Sequence, residues 1–216
     1  MLHKLIVSAA IILPTAALAY PAAEAVSQTT TKRTLAIAGI EAYATVASAE
    51  GTLAGAGFKR TVSKEELSFK GRVELAVNQA QARRADTFSM AAHYQVWNKG
   101  GETITLWFLQ RPEGAVVKHV IYTLPTSIQS PNQVFAELTR RYGNPDVTAS
   151  NKLSGKTAHW CKPVSPKQCD YTDTNLLMTV IGNDITLRLN IDDRQEKNVE
   201  AAVQAEARKQ AGGASF

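Results

Sequence analysis

Two cysteines are the first residues in this chain whose type and spacing could do chemistry. Cys161 and Cys169 have seven residues between them. Thiols so placed could bind a metal, serve as a redox pair or form a disulfide. A structural zinc site takes four ligands and only His159 lies nearby, while a thioredoxin-type pair has the spacing C-x-x-C. We therefore predict a disulfide, which for so short a loop would contribute about 2.5 kcal/mol to stability.

Three histidines are the candidates for proton transfer. His93, His119 and His159 each fall on a segment that we expect to be a strand, far apart in sequence. Any of them could act as a general base, and a strand-borne triad with a serine stays open. No nucleophile-elbow motif accompanies them. Structural or surface histidines are the alternative, and we favour it.

A phosphate-binding loop is suggested by Gly155-Lys156-Thr157 but is incomplete. The full motif needs a glycine five residues earlier, where Ser150 stands, so we interpret the segment as a lysine-bearing turn. No other spacing matches a metal or cofactor motif. We predict no catalytic residue, no metal site and no cofactor.

Tryptophans could form a binding surface instead. Trp107 points away from the apolar face of its predicted strand, and Trp97 and Trp160 are the other large aromatics. Together with His93 and His119 they form a candidate binding face, because exposed tryptophan often anchors protein contacts. A core with helices on both faces of a sheet would explain the same pattern, and both interpretations stay open.

The N-terminus has the layout of a secretory signal peptide. Lys4 precedes an apolar run over residues 5–13, Pro14 breaks that run, and Ala17-Leu18-Ala19 is a small-x-small cleavage site. The apolar run is too short to span a membrane, which takes about 20 residues. We expect cleavage near Ala19 and a periplasmic or secreted protein.

Composition indicates an ordinary globular chain. It has 216 residues, is 44% hydrophobic and carries a net charge of +5, which argues against a disordered, collagen-like or disulfide-dense chain. We interpret the main basic concentration as a mixed, solvated face, or alternatively as a surface attracted to anionic envelope components. We expect no nucleic-acid partner and at most peripheral membrane contact. The basic residues are Lys59, Arg60, Lys64, Lys70, Arg72, Arg83 and Arg84.

Periodicity predicts the elements that must position these residues. A helix capped by Thr45 ends near Gly57, and an ambiguous stretch that we favour as a strand runs over 67–77. The segments 88–97, 102–109 and 116–124 alternate and are joined by short turns, which predicts an antiparallel meander.

The second part of the chain repeats this order. Ser130, Pro131 and Gln133 form a capping box that begins a helix, and Gly143 ends it. A short strand around His159 and a hairpin over 176–191 follow. Asp193 offers a second capping box before an alanine-rich helix over 194–210.

We therefore predict an α+β fold in which helices pack on an antiparallel sheet, with two helix-then-strands units in tandem. Residues 35–210 are expected to form one domain, with halves at 35–125 and 126–210 if the chain is an internal duplication. A loose arm over 20–34 and a flexible tail over 211–216 would flank it.

Two fragments resemble a known family. Gly39-Ile40, Thr45, Leu53 and Gly57-Phe58 fit the helix of small bacterial envelope proteins, and Val134, Leu138, Tyr142-Gly143 and Pro145 fit a second helix of the same group. This group is the β-lactamase-inhibitor-like superfamily, which includes the SmpA/OmlA outer-membrane assembly lipoproteins. The resemblance implies helices on an antiparallel sheet and action by protein binding. The chain departs from the lipoproteins because the residue directly after the cleavage site is Tyr20 and not a lipid-acceptor cysteine.

The sequence thus predicts an exported periplasmic binding or envelope-assembly accessory protein that works by protein–protein contact without catalysis. A small periplasmic hydrolase using the strand-borne histidines is one alternative. A structural protein that binds peptidoglycan or lipid headgroups through its positive charge is another. The partner, expected to be an envelope protein, and the oligomeric state are not specified by the sequence.

Overall fold

The structure is a computed structural model that describes residues 34–81, 88–151, 155–170 and 172–212. The predicted signal peptide, nearly all of the predicted arm and most of the predicted tail lie outside these residues. The fold is α+β, as predicted. The strands are β1 (Ala36–Ile37), β2 (Ile40–Glu41), β3 (Lys59–Leu67), β4 (Met90–Lys99), β5 (Glu102–Arg111), β6 (Gly114–Pro125), β7 (Val147–Asn151), β8 (Gly155–Trp160), β9 (Lys162–Ser165), β10 (Gln168–Asp170), β11 (Asn175–Ile181) and β12 (Asp184–Asn190). The helices are α1 (Val46–Gly55), α2 (Phe69–Ala80), α3 (Pro131–Tyr142) and α4 (Arg194–Gln210).

Eight strands form one antiparallel sheet in the order β3-β4-β5-β6-β12-β11-β8-β7. The four strands from the first predicted half lie on one side, and the four from the second half lie on the other. The halves meet where β6 pairs with β12, with Leu124 opposite Ile185 and Val120 opposite Leu189. A duplicated unit would produce this order; the duplication itself stays a prediction.

One face of the sheet, which we call the core face, is covered by α1 and α3. Leu53 of α1 and Leu138 of α3 join one buried cluster with Leu106, Val120 and Leu189 from three strands. Leu53, Leu106, Val120 and Leu189 have no exposed surface, and Leu138 is 7% exposed. Burial of this apolar surface is the main force that holds the helices on the sheet.

The two helices on the core face begin as predicted. The Thr45 side chain accepts a hydrogen bond from the Ser48 N–H of α1. In α3, Ser130 and Gln133 form the reciprocal capping box, with Pro131 at the first helical position. These caps satisfy backbone donors that have no partner inside the helix.

The predicted strand over 67–77 is wrong, because residues 69–80 form α2. Its side chains Phe69, Val73 and Val77 lie at helical spacing and pack with Val203 and Ala207 of α4. Apolar residues in this segment fit both a strand and a helix, and the helical pattern prevails because its apolar stripe packs against α4. Ser68 caps the helix by accepting a hydrogen bond from the Gly71 N–H.

The charged segment just before α2 forms the edge strand β3, which the sequence interpretation missed. Lys59, Arg60, Lys64, Glu65 and Glu66 lie on this strand, and its pairing with β4 shifts register twice. A solvated edge strand lacks the alternation of apolar residues by which a strand is recognised in a sequence. Charges and bulges are typical of sheet edges, where they oppose pairing with other chains.

The second predicted capping box is also wrong. Asp193 occupies the cap position of α4 but its side chain makes no capping hydrogen bond. The preceding Asp192 accepts from the Arg194 N–H at 2.8 Å and binds the Arg194 guanidinium. The carboxylate that binds the start of α4 is therefore that of Asp192, one residue before the predicted Asp193.

The predicted disulfide between Cys161 and Cys169 is present. It joins the residue just before β9 to β10, and these two strands form their own two-stranded sheet. Cys169 is 2% exposed. The bond therefore fastens the loop that separates β8 from β11.

Two helical glycines should respond to alanine in opposite directions. Among the described residues, no atom outside the helix itself and its immediate chain neighbours lies within 4 Å of the place that a Cβ on Gly51 of α1 would take, so Gly51→Ala should raise the free energy of unfolding by about 0.5–1 kcal/mol. A Cβ on Gly71 of α2 would lie 2.5 Å from the carbonyl oxygen of Ser89. Gly71→Ala should therefore lower the free energy of unfolding by about 1–3 kcal/mol. Urea denaturation measures both, and stabilisation by Gly71→Ala would contradict the close approach.

Candidate binding face

The second face of the eight-stranded sheet, which we call the open face, is defined by strand register. Residues directly opposite on paired strands share a face, and successive residues alternate between faces. Tyr94, Trp107 and His119 lie opposite one another on β4, β5 and β6. Other members of the open face are Val62, Lys64, Val96, Thr103, Thr105, Ile121, Thr123, Thr157, His159, Leu177, Thr179, Thr186 and Arg188.

One end of the open face is covered by α4. Val199 of α4 packs with Leu109 and Ile191, and Tyr43 and Val116 join this cluster. Farther along the sheet, open-face side chains such as Thr105 and Trp107 are only half-buried, whereas Ile104 and Leu106, which alternate with them along β5, are fully buried. In the described part of the chain, the contrast shows that no helix seals this part of the sheet.

An aromatic cluster lies on the exposed part of the open face. The ring centroids of Tyr94 and Trp107 are 4.8 Å apart, and the His93 ring meets Trp107 edge-on at 5.3 Å. The Lys64 ammonium lies 5.6 Å from the centre of the Tyr94 ring. His119 stands opposite Trp107 in register. The structure thus brings together the predicted residues Trp107, His93 and His119.

His93 has a carboxylate beside it. Glu66 Oε2 lies 2.8 Å from His93 Nδ1. The serine nearest in sequence to Glu66 is Ser68 and the one nearest to His93 is Ser89, and their hydroxyls hydrogen-bond to each other at 2.7 Å. In residues 34–81 and 88–151, the side-chain hydrogen bonds include none that joins a histidine to a serine, as a serine-based triad would require.

Trp97 and Trp160 lie in the core, which corrects their place in the predicted binding face. Trp160 has no exposed surface and donates a hydrogen bond to the Gly143 carbonyl at 2.8 Å. Trp97 is 6% exposed and donates to the buried Gln95 side chain at 3.0 Å. Both side chains point to the core face, because their strands present alternate residues there.

A network of polar side chains connects Trp97 to α1. Gln95 donates to Glu50 at 2.6 Å, and Arg60 of β3 donates to the same carboxylate oxygen at 2.6 Å. The Arg60 guanidinium also lies 5.9 Å from the Trp97 ring centre. This network holds the edge strand β3 against the helix, so the rest of β3 can present Lys64 on the open face.

Two histidines of the open face should make stability depend on pH. Burial lowers the pKa of His119, with Lys118 lowering it further, and burial lowers the pKa of His159. The fold keeps both rings neutral where the unfolded chain binds protons. Stability should therefore be full above about pH 6.5 and fall as the pH is lowered through and below that value. Urea denaturation at pH 7.5 and 5.5 measures the decrease in the free energy of unfolding. If His119→Gln shows the same decrease as the wild type, His119 does not contribute to it.

Charge on the open face is mainly positive. Lys64 and Arg188 are both exposed, and in the part of the chain that the structure describes neither belongs to an ion pair. Glu66, beside His93, is the nearby carboxylate on the same edge. From the sequence, Lys64 was one of a group of basic residues, and Arg188 was not singled out. Only the strand register shows that both residues share a face with Trp107.

A row of threonines crosses five neighbouring strands of the open face. Thr103, Thr123, Thr186, Thr179 and Thr157 are successive partners in register from β5 to β8. All five side chains are half-buried. This row gives the open face a polar strip, whereas the aromatic cluster marks the part able to bury apolar surface.

In the described ranges, no group of three or more His, Cys, Asp or Glu side chains could hold a metal ion. No helix there is long and apolar enough to cross a membrane. Comparison of the chain with protein-family models, with curated proteins and with solved structures finds no match in any of the three.

Proposed function

We propose that this protein is an exported binding protein of the bacterial envelope that engages a partner protein through the open face of its sheet. The observation that carries the proposal is the aromatic cluster of Tyr94, Trp107 and His93, which is half-buried on the part of the open face that no helix of the described residues covers. Tryptophan and tyrosine with a polar surround are typical of residues that dominate binding energy.

The chemistry of the open face favours an acidic partner surface. Lys64 stands over Tyr94, and Arg188 stands on the central strand β12. Carboxylates of a partner could pair with these cations around a central contact on Trp107. Such charge complementarity mainly sets association rate and specificity, while the buried aromatic contact supplies affinity.

Export is supported by two features. The N-terminal residues have the layout of a signal peptide, and the Cys161–Cys169 disulfide is a bond that persists in oxidising compartments. Resemblance to envelope proteins that act by protein contact favours the same role.

Capture from envelope extracts tests the proposal. The chain lacking residues 1–19 is immobilised, and the partner that it retains is quantified. Trp107→Ser and Arg188→Glu should each lower the amount of retained partner by about tenfold or more. Matched controls are Val164→Ser on β9, where valine is 60% exposed, and Lys197→Glu on the exposed side of α4. Equal capture by the open-face variants and the controls would reject the open face as the binding site.

A second candidate, a small hydrolase, is favoured by the 2.8 Å approach of Glu66 to His93. A carboxylate can orient an imidazole that acts as a general base. If this role is correct, the chain should hydrolyse an activated ester such as p-nitrophenyl acetate, and His93→Gln should abolish the excess over the rate of free imidazole. No excess over free imidazole would reject it.

A structural role on the envelope is the remaining alternative. Positive charge on β3 and β12 would hold the protein on anionic headgroups or peptidoglycan. Retention on isolated envelopes should then fall as salt is raised, because exposed charges are screened. Retention that high salt leaves unchanged argues against this role.

A further inference from the structure

A cavity of about 360 Å³ lies on the core face, away from the open face. It is bounded by the first turns of α3 and by the outer strands β7, β8 and β11. Strand register gives two rows of side chains that point into it. Ser150, Lys156 and Val180 form one row, while Thr148 and Met178 stand in the next.

The inner wall of the cavity is apolar. Met178 is 4% exposed, and Phe135 of α3 lines the same cavity. Phe135 is 37% exposed although its ring lies 6.2 Å from that of the fully buried Trp160. An apolar group in the cavity would cover the exposed part of Phe135 and gain the free energy of burying that surface.

The outer rim of the cavity is polar, and the charge that it carries is positive. Lys156 is exposed, and in the part of the chain that the structure describes it forms no ion pair. No acidic side chain lines the cavity in the described residues. Thr148 and Ser150 place hydroxyl groups on the same side. Because an unpaired ammonium beside hydroxyls favours an anion, the ligand should be polar and negative at one end.

Size limits the ligand further. At the roughly 30 Å³ that a water-sized group takes up in a liquid, the cavity has room for about twelve non-hydrogen atoms. Pockets of this volume, apolar with a few convergent polar groups, are typical of small-molecule sites.

We propose that this cavity binds a small anionic amphiphile, a single carboxylate on an apolar chain of medium length. The carboxylate pairs with Lys156 at the rim, and the chain lies against Phe135, Met178 and Val180. This gives the Gly155-Lys156-Thr157 segment a role as a carboxylate site without a phosphate-binding loop. The site is separate from the open face and does not depend on the proposed function.

Calorimetric titration of the chain lacking residues 1–19 with decanoate tests the site. We expect saturable binding below millimolar concentration, with decanol bound at least about tenfold more weakly because it carries no charge for Lys156. Lys156→Met should weaken decanoate binding by about tenfold to a hundredfold and leave decanol binding unchanged. The matched control is Lys197→Met on the exposed side of α4, which should bind like the wild type.

A second variant locates the ligand. Thr148 is exposed on the edge strand β7, so Thr148→Trp can fill the mouth of the cavity without entering the core. It should unfold at the wild-type urea concentration and bind neither decanoate nor decanol. Absence of saturable decanoate binding would overturn the proposal. So would equal affinity for decanol and decanoate, unchanged binding by Lys156→Met, or unchanged binding by a folded Thr148→Trp.

Discussion

Replacement of Trp160 by alanine is expected to lower the free energy of unfolding by about 3–5 kcal/mol. The indole has no exposed surface and belongs to the main buried cluster beneath α3. Its removal leaves a cavity and also leaves the Gly143 carbonyl at the end of α3 without the indole donor. Urea denaturation followed by far-UV circular dichroism measures the change.

The matched control is Trp107→Ala, because the same side chain is removed from a half-buried place on the open face. We expect this variant to lose no more than about 1–2 kcal/mol, since part of the Trp107 surface is already in contact with water. Similar losses for the two variants would show that the division into a core face and an open face is incorrect.

Replacement of Tyr142 by phenylalanine is expected to lower the free energy of unfolding by about 2–4 kcal/mol. The Tyr142 hydroxyl donates to the Ala36 carbonyl at 2.7 Å and accepts from the Ala36 N–H at 3.1 Å. Both atoms of Ala36 are in a buried residue, and each buried polar group left without a partner costs about 1–3 kcal/mol. The same urea titration gives the value.

Tyr94→Phe is the control for this change, because its hydroxyl stands on the open face and the ring contacts with Trp107 would persist. We expect its stability to stay within about 0.5 kcal/mol of the wild type. If Tyr142→Phe also stays within that range, water must replace the hydroxyl at Ala36, and the hydrogen bonds do not hold β1 to α3.

The α+β class, the meander and α3 could be predicted because their signals are local. The capping box at Ser130 and the alternation of Ile104, Leu106 and Phe108 are carried by neighbouring residues, and the structure confirms both. The disulfide could also be predicted, since two cysteines in a short loop leave few alternatives.

The remaining features depend on contacts between distant residues. Residues 69–80 alternate weakly, and their helical stripe has meaning only beside Val203 of α4. β3 is a strand because its backbone pairs with β4, not because its charged side chains favour one. In the same way, Trp97 and Trp107 lie on neighbouring strands in similar sequence surroundings. The register of β4 against β5 determines that Trp97 lies on the core face and Trp107 on the open face.

The meeting of the two half-sheets at β6 and β12 has a consequence for the order of folding. Within each half, most neighbouring strands are joined by short turns, so these pairings close small loops and should form early. The contact of Leu124 with Ile185 closes a much longer loop across α3 and five strands. Because the entropy of that closure must be lost before the core contacts compensate it, docking of the two halves should limit the folding rate.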